Sequence, residues 1–600
     1  MSWSRAYWLI AVVGAVAVAL SFGMHHGWSN QQTYFIHALV RFDPTLLQND
    51  WYARSAADLH SVWSRLAALL LTMHDGPEHF VALELALTVV GCLAVAWLVR
   101  ALLPDPRQAL PVVLGWYALA FALRTTDVMG SFLFAGYLQP SSFGEAGVLC
   151  AAACFAHRRH VAFSAALALG GMMHLNFLAL GLATFGLAHL ALAPRWPSVA
   201  FGPWQRVLWP RLVRAFALPM LVFLWALPQF LEAAKSGSVE ATRIVVEIRA
   251  PHHFRPTFEA VAPLFAWQAA AWLAVLGHRL FKRRADEESE GAFLGGAVVP
   301  LLLGVGGFVM LCSVLTTAVH VDLVLQLFPW RFAPLATVLA ALALLGAGVQ
   351  AAQQGAAPGR WVTLALAALV VIVGGVAAEQ RAWIAVLAGA IGAAAIVRAV
   401  VERRTPPPAA DPSTPLGARL RLGPVAAPIA AALLVGAVAG GAGWPLLAAF
   451  SPKIQSLPGR QRPLVHWALA KTDKGDVFAV PPSLSTFRMF ARRSVVVDWK
   501  SAGAYSADIL AWYERVNRVA GTTALRKRHE ADKGYARMDK ARAQRLSRDY
   551  GVRYVVLQKP RAPGAPTDLG GVAFENGAWV VYDLEAAPPA SAASPAPTSP

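Results

Sequence analysis

The sequence predicts a polytopic α-helical membrane protein with a small α/β domain at its C-terminal end. Three observations predict it. Apolar residues make up 57% of the 600 and charged residues only 14%, against about 25% charge in soluble domains. Apolar runs long enough to cross a bilayer as a helix (about 20 residues) recur through residues 1–450. From about Ser451 those runs stop, and short strand and helix patterns alternate instead. The net charge of +18 would suggest nucleic acid in a soluble chain. Here the arginines cluster in short loops on one side, so the charge reads as an orientation signal and no nucleic-acid partner is expected.

Candidate spans fall at 7–24, 78–99, 109–123, 142–157, 161–174, 176–193, 213–233, 259–279, 291–318, 331–350, 361–377, 383–401 and 424–449. That makes about 13 transmembrane helices. The first, WLIAVVGAVAVALSFGM, follows a single arginine and shows no A-x-A cleavage site, so it reads as an anchored helix rather than a signal peptide. The short apolar stretch 61–73 reads as a helix lying in or dipping into the outer interface. With a cytoplasmic N-terminus, the inside loops gather most of the basic residues, from Arg5, Arg100 and Arg107 to Arg404, Arg419 and Arg421. An odd number of spans then carries the C-terminal domain to the periplasmic or extracellular side. The chain is expected in the cytoplasmic (inner) membrane of a bacterium.

Three outer loops are long and polar: 24–77, 124–141 and 234–258. Irregular backbone beside a membrane must be hydrated or buried in protein, so three such loops on one face point to a site there. Cys92, Cys150, Cys154 and Cys312 all fall in apolar segments. No disulfide framework is expected, and the Cys150/Cys154 spacing reads as packing.

The stretch ERRTPPPAADPSTPLGARLRL reads as a linker. Beyond it, DVFAVPP and SVVVDWK read as buried strands, Ala504 to Val519 as a helix, and SRDYGVRYVVLQK as a helix end, turn and strand. VAFENGAWVVYDL reads as a hairpin whose Asn576-Gly577 pair supplies the positive φ angles of a tight turn. These elements form one small α/β domain over 451–585. The Pro-, Ala- and Ser-rich tail, 586–600, is expected to be disordered.

The first outer loop concentrates His25, His26, Asp43, Asp50, Asp58 and His60 beside the membrane. Asp50, in QNDWY, has two readings. It is a partly desolvated carboxylate able to accept a proton, or the N-cap of a helix beginning near Trp51. Asp43, before a proline, is the more cap-like of the two. Asp58 and His60 form either a solvated face or a second acid/base pair. In RAPHHFRP, Arg249, His252, His253 and Arg255 make a dense cationic patch suited to phosphate oxygens, or to a lipid headgroup. Arg331, in FPWRFAP, either snorkels or holds a lipid-linked phosphate. Asp127 and Glu145 flank another outer loop; Glu145 falls inside a span, where ionisable residues usually face a cavity. His174, in MMHLNF, sits at the turn between two spans. If a divalent metal ion binds, His25, His26, Asp50, His60, His252 and His253 are the candidate ligands, although no spacing fixes the geometry. There is no Walker A loop, HExxH or GxSxG motif.

Taken in order along the chain, NQQTYFIHAL with DPTLLQNDWY, QPSSFGEAG, MMHLNFL, RAPHHFRP, FPWRFAP and VFAVPPSLSTFRMFARRSVVVDWK resemble the GT-C type glycosyltransferases. These are polytopic enzymes that use polyprenyl-phosphate sugars on the outer face of the membrane. Within them, the chain looks like a bacterial multi-pass family known mainly from sequence. The resemblance implies a catalytic carboxylate in the first outer loop, best matched by Asp50 with Asp43 second. It implies an external basic residue at the donor phosphate: Arg331, Arg249 or Arg255. The C-terminal domain would recognise the acceptor, a glycan, lipid or protein, with PPSLSTFR and VVVDWK along its membrane-facing edge. No Asp-Glu or Asp-Asp pair stands in the first loop, which leaves the base and any metal open. A lipid-linked polymerase or ligase is the nearest alternative. A transporter or flippase would show an internal repeat and mid-span charges, and neither stands out.

Overall fold

The apolar runs fold as helices wherever the chain is described. The computed structural model describes residues 2–122, 133–191, 204–235, 237–254, 257–281, 297–319, 327–353, 456–559 and 569–585. The expected spans at 361–377, 383–401 and 424–449, the linker, the tail, Asp127 and Arg255 lie outside these residues. The helices are α1 (Trp3–Ser21), α2 (Gln31–Phe42), α3 (Trp51–Ser55), α4 (Ser61–Met73), α5 (Glu78–Leu102), α6 (Pro106–Ala122), α7 (Pro140–Ala156), α8 (His160–Met173), α9 (Leu175–Ala191), α10 (Trp204–Lys235), α11 (Val239–Arg243), α12 (Pro251–Phe254) and α13 (Phe258–Phe281). A π-turn, Ile244–Arg249, continues α11, and a helix broken by π-turns runs over 298–319. A 3₁₀ turn, Pro329–Phe332, leads into the helix Ala333–Gln353. Among the described residues, Trp3–Ser21, Glu78–Leu102, Trp209–Glu232, Val298–Thr317 and Pro329–Ala347 are long and apolar enough to cross a bilayer.

Without water between them, membrane helices associate through close packing and hydrogen bonds. The Tyr7 hydroxyl on α1 donates to the Ala96 carbonyl on α5 at 2.6 Å, and the Tyr117 hydroxyl on α6 donates to Ala11 on α1 at 2.8 Å. α7 and α8 lie backbone to backbone across glycines: a Cβ on Gly147 would stand 2.9 Å from both the Ala166 carbonyl oxygen and the Gly170 Cα. Outside this bundle the first outer loop is itself mostly helical. α2, α3 and α4 pack their apolar faces together around Phe35, Leu39, Tyr52 and Trp63.

The C-terminal segment forms a five-stranded sheet in the order β2-β1-β3-β5-β4, with β1 (Val477–Ala479), β2 (Ser494–Val495), β3 (Val552–Gln558), β4 (Gly571–Glu575) and β5 (Trp579–Asp583). β1 runs parallel to β2 and β3, and β5 pairs antiparallel with β3 and β4. The expected helix appears as Ser506–Ala520. Two expectations are corrected. The SVVVDWK strand ends early: the Val496 amide makes a bond to Phe478, and Asp498 then turns the chain by accepting the Lys500 and Ser501 amides at 2.8 and 3.0 Å. The hairpin turn also has no positive φ at Asn576 or Gly577. Instead the Asn576 side-chain oxygen accepts the Ala578 and Trp579 amides, each at 2.8 Å, and closes the turn itself.

Candidate functional site

Asp50 stands where the first outer loop meets the C-terminal domain. It begins α3, and its Oδ1 accepts the Ala53 amide at 2.9 Å, an N-cap. Its Oδ2 accepts the Arg488 Nε at 2.7 Å and the Val495 amide at 3.0 Å. Arg488 Nη1 reaches Asp498 Oδ2 and Ser501 Oγ, both at 2.6 Å. The side chains of Asp50, Arg488 and Asp498 are at most 1% exposed. The Asp50 carboxylate is thus a cap and half of a buried ion pair, closed off from solvent. Asp43 lies at the rim, where its Oδ2 meets Lys474 at 2.8 Å and its Oδ1 accepts the Thr45 amide and hydroxyl. The hydrogen bond from Lys474 draws its pKa down to about 2.

Arg488 and Asp498 also orient Lys500. The turn at Asp498 aims this lysine back toward the membrane domain, where its Nζ comes 3.4 Å from Ser29 Oγ and its carbonyl accepts Arg249 Nη2 at 2.8 Å. Two half-buried cations therefore lie side by side. Burial, and then the neighbouring Arg249, pushes Lys500 down to about 8. Burial likewise pushes Arg249 down to about 10. Asp498, the carboxylate within electrostatic reach of both, is already engaged by Arg488. Arg249 Nε is buried without a partner. His252, on α12, lies beside both cations.

His253 continues this wall, its ring 4.0 Å from His252 and 5.4 Å from Phe328. Phe328 is held in the left-handed region at φ 47°, a strained conformation for a bulky side chain. The Arg331 guanidinium lies over its ring at 5.3 Å. Arg331 has no carboxylate within ion-pair distance among the described residues, and it acts electrostatically on His60, His174 and Glu145. The His60 and His174 rings are 4.8 Å apart, and Tyr34 stands edge-on to His60 at the same separation.

At His60 the Met173 carbonyl acts on the ring, and Nδ1 is buried with no partner among the described residues. In a neutral ring with its proton on the other nitrogen, Nδ1 can accept a proton. Burial pushes its pKa down to about 4, against a smaller opposing pull from Asp58. Asp58 is itself paired to Arg41 at 3.0 Å.

The structure thus brings Arg249, His252, His253, Arg331, His60, His174 and Glu145 around one region, with Asp50 behind it and Asp43 apart. His26 packs among Phe35, Phe80 and Phe490 instead. Among the described residues, no three His, Cys, Asp or Glu side chains gather as a metal site. Sequence reasoning did not single out Lys500, Arg488 or Asp498 individually. The signal was present in SVVVDWK, since two opposite charges placed directly after a buried apolar run call for partners.

A family model described as a domain of unknown function (DUF6798) matches residues 460–519, the stretch holding Arg488, Asp498 and Lys500. The curated proteins contain no sequence match to the chain. Among solved structures, the chain is similar to ArnT from Cupriavidus metallidurans bound to undecaprenyl phosphate, at 14% identity and a TM-score of 0.47, over 96% of this chain and 97% of that one. It is also similar to the archaeal oligosaccharyltransferase AglB from Archaeoglobus fulgidus, in complex with an inhibitory peptide and a dolichol-phosphate. That match has 13% identity and a TM-score of 0.45, over 93% of this chain and 70% of that one.

Proposed function

We propose that the protein is a GT-C-type membrane glycosyltransferase that moves a sugar from a polyprenyl-phosphate donor to an acceptor hydroxyl on the outer face of the cytoplasmic membrane. The observation that carries this reading is the half-buried pair Arg249 and Lys500, cations with no ion-paired carboxylate among the described residues, on the same wall as Arg331, which acts on a histidine, His60, whose Nδ1 has no partner among those residues. Buried cations are costly unless paired, and an anion that arrives with the substrate supplies the pairing.

In the reaction, the acceptor oxygen attacks the anomeric carbon and its proton passes to His60 Nδ1. The bond from that carbon to the phosphate oxygen breaks, and the polyprenyl phosphate leaves with the bonding electrons. The phosphate gains negative charge as the bond breaks, so Arg249 and Lys500, with His252 beside them, hold it more strongly in the transition state than in the ground state. His60 takes the base role first expected of Asp50. Asp50 and Arg488 keep Lys500 in position. A divalent metal ion is given no step.

The test follows release of polyprenyl phosphate from radiolabelled polyprenyl-phosphate sugars, with donor binding measured in parallel. Wild type is expected to turn over at least one donor. Lys500→Met and Arg249→Met are each expected to weaken donor binding by tenfold or more, and His60→Gln to bind donor without turnover. Unchanged donor binding in both cation variants would overturn the assignment of the phosphate site. A wild type that binds no donor would remove the glycosyltransferase reading.

A further inference from the structure

A second group of buried polar side chains, two of them within electrostatic reach of Arg331, is not used in holding the phosphate. It rests on the start of α7, on α5 and on the turn between α8 and α9. Gln139 is 0% exposed, and its amide nitrogen has no partner among the described residues. Glu84 is 4% exposed, and its Oε2 likewise has none among them. His174 is 5% exposed and both its ring nitrogens are unpartnered. Glu145 is buried within electrostatic reach of Glu84 and Arg331. Buried polar groups in native proteins are nearly always hydrogen-bonded, so this many unmet donors and acceptors side by side describe a place built for a polar occupant.

The chemistry of the set narrows the occupant. An anion would meet two carboxylates, and a cation would meet Arg331. An apolar group would leave every one of these atoms unpaired. A ring of hydroxyls offers donors to the carboxylates and acceptors to the amide, imidazole and guanidinium. His174 also touches His60, at 4.8 Å, which sets this floor next to the proton acceptor.

We infer that Glu84, Gln139, Glu145 and His174 form the subsite for the donor's glycosyl unit, read through its hydroxyl groups. This rests on the transferase reading above and adds to it which residues select the sugar. A site built to hydrogen-bond hydroxyls discriminates strongly against analogues that lack them, because its own groups are then left unpaired.

The experiment compares binding of sugar-free undecaprenyl phosphate with undecaprenyl-phosphate hexoses and pentoses, using the full-length protein in nanodiscs. In wild type, one sugar is expected to tighten binding at least tenfold over the sugar-free lipid. Gln139→Leu and Glu145→Gln are expected to erase that gain while sugar-free binding stays within twofold. The milder Ser141→Ala, beside Glu145, is expected to shrink the gain and serves if either variant misfolds. A gain that persists in the variants would overturn the inference. So would a wild type that binds the lipid phosphate but gains nothing from any sugar, in which case the floor holds water alone. A wild type that binds neither ligand would instead bring down the transferase reading itself, and this inference with it.

Discussion

His60 shows how one side chain acquires a role from its surroundings. The Met173 carbonyl acts on the ring, burial keeps the ring neutral, and Nδ1 has no partner among the described residues. His60→Gln is therefore expected to lower kcat by about 10²–10⁴-fold with donor affinity little changed, checked by single-turnover kinetics. The pH profile carries a second expectation. On the proposed mechanism His60 would accept a proton only above its pKa of about 4, and Lys500 would hold phosphate only while protonated, below about 8. kcat/KM should rise through the first value and fall through the second. Lys500→Arg should abolish the alkaline limb, because a guanidinium keeps its proton. Asp50 shows the limit of reading residues singly. QNDWY is equally the sequence of a cap and of an interfacial carboxylate, and only Arg488, which lies 438 positions away, decides between them. Removing one member of a buried ion pair costs about 3–5 kcal/mol, so Arg488→Met should lower thermal stability far more than Asp50→Asn, which keeps an N-capping oxygen.

At the scale of elements, helices were legible and strands less so. A span in lipid must satisfy its backbone internally, so an apolar run of sufficient length leaves one solution, and α1, α5 and α7 to α10 fall close to where the runs place them. The strands β1 and β2 are three and two residues long, too short for alternation to mark their ends. SVVVDWK stops early because Asp498 bonds the backbone ahead of it, and the 576–579 turn is closed by a side chain rather than by positive φ. Neither event leaves a mark in periodicity. The α7–α8 contact was equally invisible, since glycine spacing does not say which helix lies opposite. A Cβ at Gly170 would stand 2.9 Å from the Phe143 carbonyl oxygen. Gly170→Val must push the helices apart at a cost of about 1–3 kcal/mol, measurable as a lower melting temperature in nanodiscs. It should also impair donor binding, because α7 carries Glu145.

Among the described residues, the C-terminal domain is seated on the first polar loop of the helical bundle. The seat has two kinds of contact. At its centre is the enclosed Asp50–Arg488–Asp498 set. At its rim are Lys474 with Asp43 at 2.8 Å, Arg492 with Asp75, and Asn49 with the Gly475 carbonyl at 2.7 Å. Exposed ion pairs contribute about 1 kcal/mol or less and are screened by salt. Lys474→Ala should therefore leave turnover nearly intact, whereas Arg488→Met should loosen the seat and raise the protease sensitivity of the linker side of the domain. The sequence carried both halves of this arrangement without their meeting: a polar loop after the first span and an arginine-rich edge on the last domain.

Lys500 reaches Ser29 across 471 positions of chain. During synthesis Ser29 and Arg249 emerge from the ribosome well before Lys500. On the proposed function, the chain gains its grip on a donor only once the C-terminal domain has come to rest on the first polar loop, and a product truncated before Arg488 and Lys500 is expected to be inert rather than indiscriminate.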